Sequence, residues 1–393
     1  MASERCVPIQ ADSADPRQKL IVILNDRFST TDRFRRMTQS NYWSSANSLP
    51  NTLNSSTPGK SHKCVLAVRR HRANSYILNN MRAMSVTTND TNRDPDVTGR
   101  ADLAKRAIPY MVLSNGSSSS LTPPPTQSIN VSPSEGAKQR FEVTGNAIVT
   151  GGAGALGYDA CNALLEHGLE GLMIFDLNPD QCQQQLLLLR SRFPSAQIHM
   201  LQVDVADEPA VAAAVKETTS LLGSVNHLFS FAGVVGCVHA ISMNISQWRK
   251  ILDINLTGAF ICAQAAAKVM ADQGTGGSIT FIASISAHRV NFPQPQAAYN
   301  VSKSALLMLK SCLAAEWMRY GIRTNSISPG YMDTVLNEGD GLADVRQRWN
   351  LANPSGRMGV PSELTGVVVM LASQASSYIN GADIVVDGGG IVF

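Results

Sequence analysis

From residue 146 onward the chain alternates between two rhythms. Short apolar runs, Ala147 to Val149, Leu172 to Phe175, His199 to Val203, His227 to Phe231, Ile279 to Ile282, Arg323 to Ile327 and Asp383 to Val386, each stop at small or polar residues. Between them lie longer amphipathic stretches, among them Tyr158 to His167, Pro209 to Leu222, Gln247 to Asp272, Ala298 to Tyr320 and Ser362 to Ser373. Apolar spacing of three to four predicts helices for the long stretches, and the short runs read as strands. Seven strands separated by helices predict a parallel sheet with right-handed crossovers. The runs are apolar throughout, so both faces of the sheet are expected to be covered. The reading is an α/β, doubly wound (Rossmann) domain over residues 141–393.

Residues 1–140 lack that periodicity and carry Ser117 to Ser120 and Pro123 to Pro125. They hold 19 Lys+Arg against 10 Asp+Glu, whereas residues 141–393 hold 14 against 20. The first part is read as a disordered basic tail. Its densest cluster, Arg69, Arg70, His71 and Arg72, is short enough to be solvated chain, and no nucleic-acid partner is expected. With 393 residues, 44% of them hydrophobic and 16% charged, the whole chain is too apolar for general disorder. Runs such as Leu20 to Leu24 and Val367 to Ala372 fall short of the ~20 apolar residues of a membrane span, so no membrane partner is expected. Seven scattered cysteines without a Cys-x-x-Cys suit a reducing compartment and give no metal site. A cytoplasmic location is expected, or a mitochondrial one should synthesis begin at Met81, Met84 or Met111.

Chemistry concentrates where the strands end. Gly152-Ala-Gly154-Ala-Leu-Gly157 follows the first strand and opens a helix. Glycines there allow a sharp turn and let a pyrophosphate approach main-chain amides at the helix N-terminus. Asp176 ends the second strand, where a carboxylate accepts hydrogen bonds from both ribose hydroxyls and repels a 2′-phosphate, which favours NAD over NADP. Asp204 and Val205, after the third strand, fit the adenine end, although Asp204 reads equally well as a turn or N-cap aspartate. Tyr299 and Lys303 form an i, i+4 pair on a helix. An ammonium about 4 Å from the phenol is worth roughly 4 kcal/mol at an effective dielectric near 20, enough to make the tyrosine a base near neutral pH. Ser284 and Ser286 both fall at the end of the fifth strand, on the edge where such sheets bind ligands.

Taken together, residues 141–393 resemble the short-chain dehydrogenase/reductase family. The resemblance is carried by Thr150 to Gly157 with Gly151, Gly152, Gly154, Leu156 and Gly157, by Asp204-Val205, Ala232-Gly233, Asn255, Ser284, Tyr299-x-x-x-Lys303, Arg323-x-Asn325, Pro329-Gly330 with Thr334, and Val386 to Gly389. The segment Ser284 to Tyr299 is further similar to the fungal branch acting on polyols, ketoses and simple ketones. The resemblance implies Tyr299 as general acid/base, Lys303 as its modulator and ribose ligand, Ser284 rather than Ser286 as the substrate-oxygen ligand, and Asn255 in a water-linked relay. Pro329, Gly330 and Thr334 would close over the nicotinamide. Two departures stand out: Ala155 replaces the middle glycine of the loop, and Ser230-Phe231 replaces the pair of asparagines before Ala232. The implied activity is hydride transfer between a nicotinamide cofactor, NAD with NADP possible, and a secondary alcohol or ketone of polyol or ketose type. The alternatives are an NADP-dependent reductase of non-sugar ketones and a non-catalytic dinucleotide-binding regulator. A homotetramer or homodimer built through the long helices is implied as well. His239 and His288 read as surface residues, Trp248 as core or interface, and Gln294 and Gln296 as possible amides for sugar hydroxyls.

Overall fold

The computed structural model describes residues 109–117, 120–124, 131–178, 182–334, 337 and 340–393. The tail expectation for residues 1–108 lies outside the described residues. Seven parallel strands form one sheet: β1 (Asn146–Thr150), β2 (Gly171–Asp176), β3 (Gln197–Gln202), β4 (His227–Ser230), β5 (Gly277–Ile282), β6 (Ile322–Pro329) and β7 (Asp383–Val386). Their order is β3-β2-β1-β4-β5-β6-β7. The chain winds outward from β1 to β3 and then crosses back to β4, so the reversal point lies between the C-terminal ends of β1 and β4. Successive residues of β1 and β2 enter opposite cores: Val149 packs with Leu172 and Ile174, and Ile148 packs with Met173 and Phe175. Both faces are therefore covered, as the unbroken apolar strands required.

The helices are α1 (Pro133–Arg140), α2 (Ala155–Glu166), α3 (Gln183–Arg192), α4 (Glu208–Leu222), α5 (Ile245–Leu252), α6 (Ala259–Gln273), α7 (Ala297–Trp317), α8 (Ala343–Ala352) and α9 (Thr365–Ala372). The single helix expected over Gln247 to Asp272 is interrupted by a π-helical turn at Asp253–Gly258 that joins α5 to α6. Contrary to the sequence expectation, the stretch Ile245–Gln273 has the length and mean hydropathy, 1.3, to cross a membrane. Its place is in the core instead: Ala259, Cys262, Ala263, Ala266 and Met270 pack with Ile148, Met173 and Ile279 of the sheet.

Some regular structure lies on the tail side of the expected boundary at residue 140. Pro133–Arg140 is a helix whose N-cap, the Ser132 hydroxyl, accepts from the Glu135 N–H. Upstream, a Cβ placed on Gly321 would stand 2.7 Å from the Leu121 carbonyl, so residues 120–124 run against the start of β6. No residue of α1 is buried, and Leu121 keeps 39% of its surface exposed. A chain beginning at Val131 is therefore expected to unfold within about 1 kcal/mol of the full chain and to keep its turnover, since surface changes of this kind cost little. Thermal melts and steady-state rates of the two chains check this, and loss of either would mean that the folded unit needs some part of residues 1–130.

Candidate functional site

Two neighbouring clefts open along the C-terminal edge of the sheet, at the reversal between β1 and β4. One is bordered by Gly151, Gly154, Leu156, Gly157, Gly233, Ser284, Tyr299, Lys303, Pro329, Gly330 and Thr334. The other shares Gly151, Gly154 and Gly233 and adds Asp176, Asp204, Val205 and Ala232. Of the residues given cofactor-binding or catalytic roles from the sequence, Gly152 and Asn255 do not line either cleft.

The loop after β1 shows why glycine is needed at some positions and not at others. Gly151 has φ of +65°, and a Cβ there would meet the Ala232 N at 2.7 Å. At Gly157 a Cβ would lie 2.3 Å from the Gly151 carbonyl, so the first turn of α2 presses directly on the loop. Gly152 is a packing residue, its Cβ position filled by Ile174 and Val149 side chains. At Gly154 a Cβ would meet only the Gly151 carbonyl, at 3.4 Å. That face opens into both clefts, and Gly154 is the N-cap of α2 without a side-chain capping bond. An open glycine face at an uncapped helix N-terminus fits a pyrophosphate, whose charge is favoured by free N–H groups and the helix dipole. The substitution of Ala155 does not close this cradle.

Asp176 is held in place by two main-chain donors, Ala153 N–H to Oδ2 at 3.2 Å and Asn178 N–H to Oδ1 at 3.3 Å. Asp204 both borders the cleft and accepts from the Ala206 N–H at 2.9 Å, while Asp207 is the true cap of α4. On the far wall, the Ala232 N–H donates to the Thr150 hydroxyl at 3.2 Å. The Asn255 side chain accepts from the Val234 N–H at 2.8 Å and donates to the Val234 carbonyl at 2.9 Å and the Ser302 hydroxyl at 3.1 Å. All of these bonds are structural: Asn255, on the π turn, ties α7 to the Ala232–Val234 segment. With Ser230-Phe231 in place of an asparagine pair before Ala232, the tie between this segment and α7 comes from Asn255.

At the other end, Ser284 heads a short turn after β5. Its hydroxyl accepts from the Ser286 N–H at 3.1 Å, donates to Ser286 Oγ at 3.1 Å and hydrogen-bonds Tyr299. Lys303 is buried, its Nζ 5.7 Å from the centre of the Tyr299 ring and donating to the Ile282 carbonyl at 2.7 Å. The expected lowering of the phenol by the ammonium is not what the free protein shows. Burial pushes Tyr299 above its ordinary 10, the Ser284 bond opposes this, and nearby Tyr331 adds to the rise. Lys303, in turn, is brought down to about 8 by burial. Both shifts have one cause, a desolvated pocket that penalises either charged form.

Sequence reasoning missed Phe231 and Val234, which border both clefts, and Met332, Asn337 and Lys250, which border one each. Position next to Ala232-Gly233 and Pro329-Gly330 is the signal that would have found the first three. His239 is exposed, and His288 is not a free surface group: its Nε2 lies 2.9 Å from Asp383 of β7. Trp248 is partly exposed, and Gln294 bonds the Tyr331 hydroxyl at 3.4 Å.

Comparison with known proteins agrees with this geometry. Residues 151–390 match the family model described as enoyl-(acyl carrier protein) reductase. A probable NADP-dependent mannitol dehydrogenase of Yarrowia lipolytica is 34% identical over 273 residues, 68% of this chain and 95% of that protein. A sorbose reductase of Schizosaccharomyces pombe is 34% identical over 246 residues, 62% of this chain and 94% of that one. Among solved structures, a short-chain type dehydrogenase/reductase from Mycobacterium marinum superposes with a TM-score of 0.60 at 34% identity, covering 65% of this chain and 98% of its own. With the sheet order, the glycine cradle and the Ser284, Tyr299 and Lys303 cluster on the same edge, the chain belongs to the short-chain dehydrogenase/reductase family and is an NAD(P)-dependent oxidoreductase.

Proposed function

We propose that the protein interconverts a polyol or similar secondary alcohol with its ketose or ketone, using NAD in preference to NADP. The observation that carries the chemistry is the Ser284 hydroxyl bonded to Tyr299 beside the open face of Gly154, in one cleft. Two hydroxyls that meet can converge on one substrate oxygen. When bound, the dinucleotide supplies a hydride donor or acceptor at its nicotinamide C4. Tyr299 then delivers or takes the proton at that oxygen, and Ser284 donates a hydrogen bond that holds it. Lys303 stands beside the ring as a cation, and Pro329, Gly330 and Thr334 border the same cleft, where they would close over the nicotinamide. The polyol class is supported by the similarity to the mannitol and sorbose enzymes. Turnover of a panel of polyols, ketoses and simple ketones with either cofactor tests the reading. Activity confined to non-sugar ketones would sink the substrate class.

The cofactor preference rests on Asp176. Its carboxylate is fixed by two main-chain N–H groups at the cleft, where it favours free ribose hydroxyls and disfavours a phosphate. Asp176→Ser is expected to weaken NAD and to move the NADP-to-NAD ratio of kcat/KM upward by at least about tenfold, the size of one charge-assisted hydrogen bond. A wild-type enzyme that prefers NADP would overturn the assignment.

Self-association through the long helices is part of the same reading. An apolar groove between α4 and α6, lined by Val215, Ile261, Ala265 and Val269, and the exposed Val301 and Met308 of α7 support it. A strictly monomeric hydrodynamic size would count against it.

A further inference from the structure

Gln296 closes the loop before α7, three residues ahead of Tyr299, and is 7% exposed. Its main-chain carbonyl serves the helix by accepting from the Asn300 N–H at 3.0 Å. Its side chain makes no capping bond. Instead Oε1 accepts from the Cys237 thiol at 3.6 Å, and Nε2 donates to Ser286 Oγ at 3.4 Å. Burial pushes the Cys237 thiol up, so the sulfur stays protonated and a donor at neutral pH. A thiol that donates fixes which end of the amide faces it and leaves the NH2 turned to Ser286. Ser286 Oγ thereby receives two donors, Gln296 and Ser284, and its own proton is uncommitted. Ser284 borders the cleft, whereas Ser286 and Gln296 do not.

We infer that Gln296 is a positioning residue for the reaction, acting through Ser286 on Ser284. In the free protein Ser284 points its proton at Ser286. A substrate oxygen draws that proton into the cleft and vacates one acceptor site on Ser286. With the other site still filled by Gln296, the Ser286 hydroxyl turns its proton onto Ser284 Oγ. The bonds then run one way, from Gln296 N–H through Ser286 O–H and Ser284 O–H to the substrate oxygen. Each hydroxyl is a better donor for being an acceptor. Ser286 is thus the support of Ser284 rather than its rival, and Gln296 decides the direction of the chain. No covalent bond forms or breaks along it.

This inference rests on the proposed oxidoreductase reading, so the experiment includes Tyr299→Phe as a separate arm. Gln296→Met keeps the volume and the main-chain cap but removes the donor. It is expected to lower kcat about three- to tenfold, the net worth of one hydrogen bond, with the cofactor KM unchanged. In a Ser286→Ala background the same substitution should have no further effect, since residues acting in series are not additive. Should Gln296→Met fail to fold, Gln296→Glu retains the acceptor for Cys237 and still loses the donor, and Ser286→Ala alone must show the same fall in kcat. Wild-type kcat in either Gln296 variant, or an equal loss with and without Ser286, overturns the inference. If Tyr299→Phe remains active, the oxidoreductase mechanism itself fails. If it is inactive while Gln296→Met is unimpaired, the positioning role alone fails.

Discussion

Tyr299→Phe is expected to lower turnover by about 10²–10⁴-fold, the range general acid–base catalysis supplies, while leaving NAD(P)H binding within about twofold of wild type. The substitution removes one oxygen. The ring keeps its place against Lys303, whose Nζ lies 5.7 Å from its centre, and Ser284 keeps both its bonds to Ser286. The glycine cradle and Asp176 are untouched, so the loss should fall in kcat and not in the cofactor KM. Fluorescence titration of the reduced cofactor and steady-state rates separate the two. The pH dependence has a fixed sign. Tyr299 is raised above 10 in the free protein, so ketone reduction, which uses the protonated phenol, should persist into alkaline solution. Alcohol oxidation, which uses the phenolate, should climb as pH rises. In Tyr299→Phe both dependences should flatten. Wild-type turnover in that variant on every accepted substrate would dispose of the proton-transfer role, whatever the fold.

Much of this arrangement is legible before any coordinates, for a local reason. Each strand is a short apolar run stopped by a glycine, serine or aspartate, and in a parallel sheet those stops all lie on one edge. Reading the stops in order therefore collects Gly154, Asp176, Asp204, Gly233, Ser284 and Gly330 into one place. Three helices lie outside the stretches read as helical because their patterns are weak: Pro133–Arg140 buries no residue, Gln183–Arg192 runs three glutamines into four leucines, and Ala343–Ala352 buries only Trp349. The π turn escaped because no residue type in Asp253–Gly258 marks it. Gly152 and Asn255 fall outside the cleft linings for a different reason. Motif spacing shows that a residue is needed, not whether it faces ligand or neighbour, and both turn out to hold the walls together. The electrostatics of Tyr299 were the least legible. An i, i+4 lysine looks like a fixed charge next to the phenol, yet Nζ is drawn to the Ile282 carbonyl and the pocket desolvates both groups.

That desolvation makes Lys303 the second residue with a large expected effect, in two directions at once. Lys303→Met should reduce kcat at least about 10²-fold, comparable to losing a positioned electrostatic group, and weaken cofactor binding, since the ammonium borders the cleft beside Gly233. It should also stabilise the fold at neutral pH. A lysine held at about 8 instead of 10.5 carries a penalty of roughly 3 kcal/mol in its charged form. Loss of the 2.7 Å bond to Ile282 returns about 1 kcal/mol of that, leaving a net gain of about 1–3 kcal/mol. The folded pKa is depressed, so the unfolded chain binds more protons between about 8 and 10.5, and wild-type stability rises relative to the variant across that window. Below 8 the full penalty applies, because the lysine is charged in both states. Denaturant unfolding of the two proteins at pH 7 and near pH 10 reads this directly: the variant should be the more stable at pH 7 and the gap should narrow toward pH 10. An equally stable or weaker variant at neutral pH would mean that the ammonium is well solvated where it stands. Increased stability with lost turnover would instead identify Lys303 as a charge buried at a cost to the fold for the sake of the reaction.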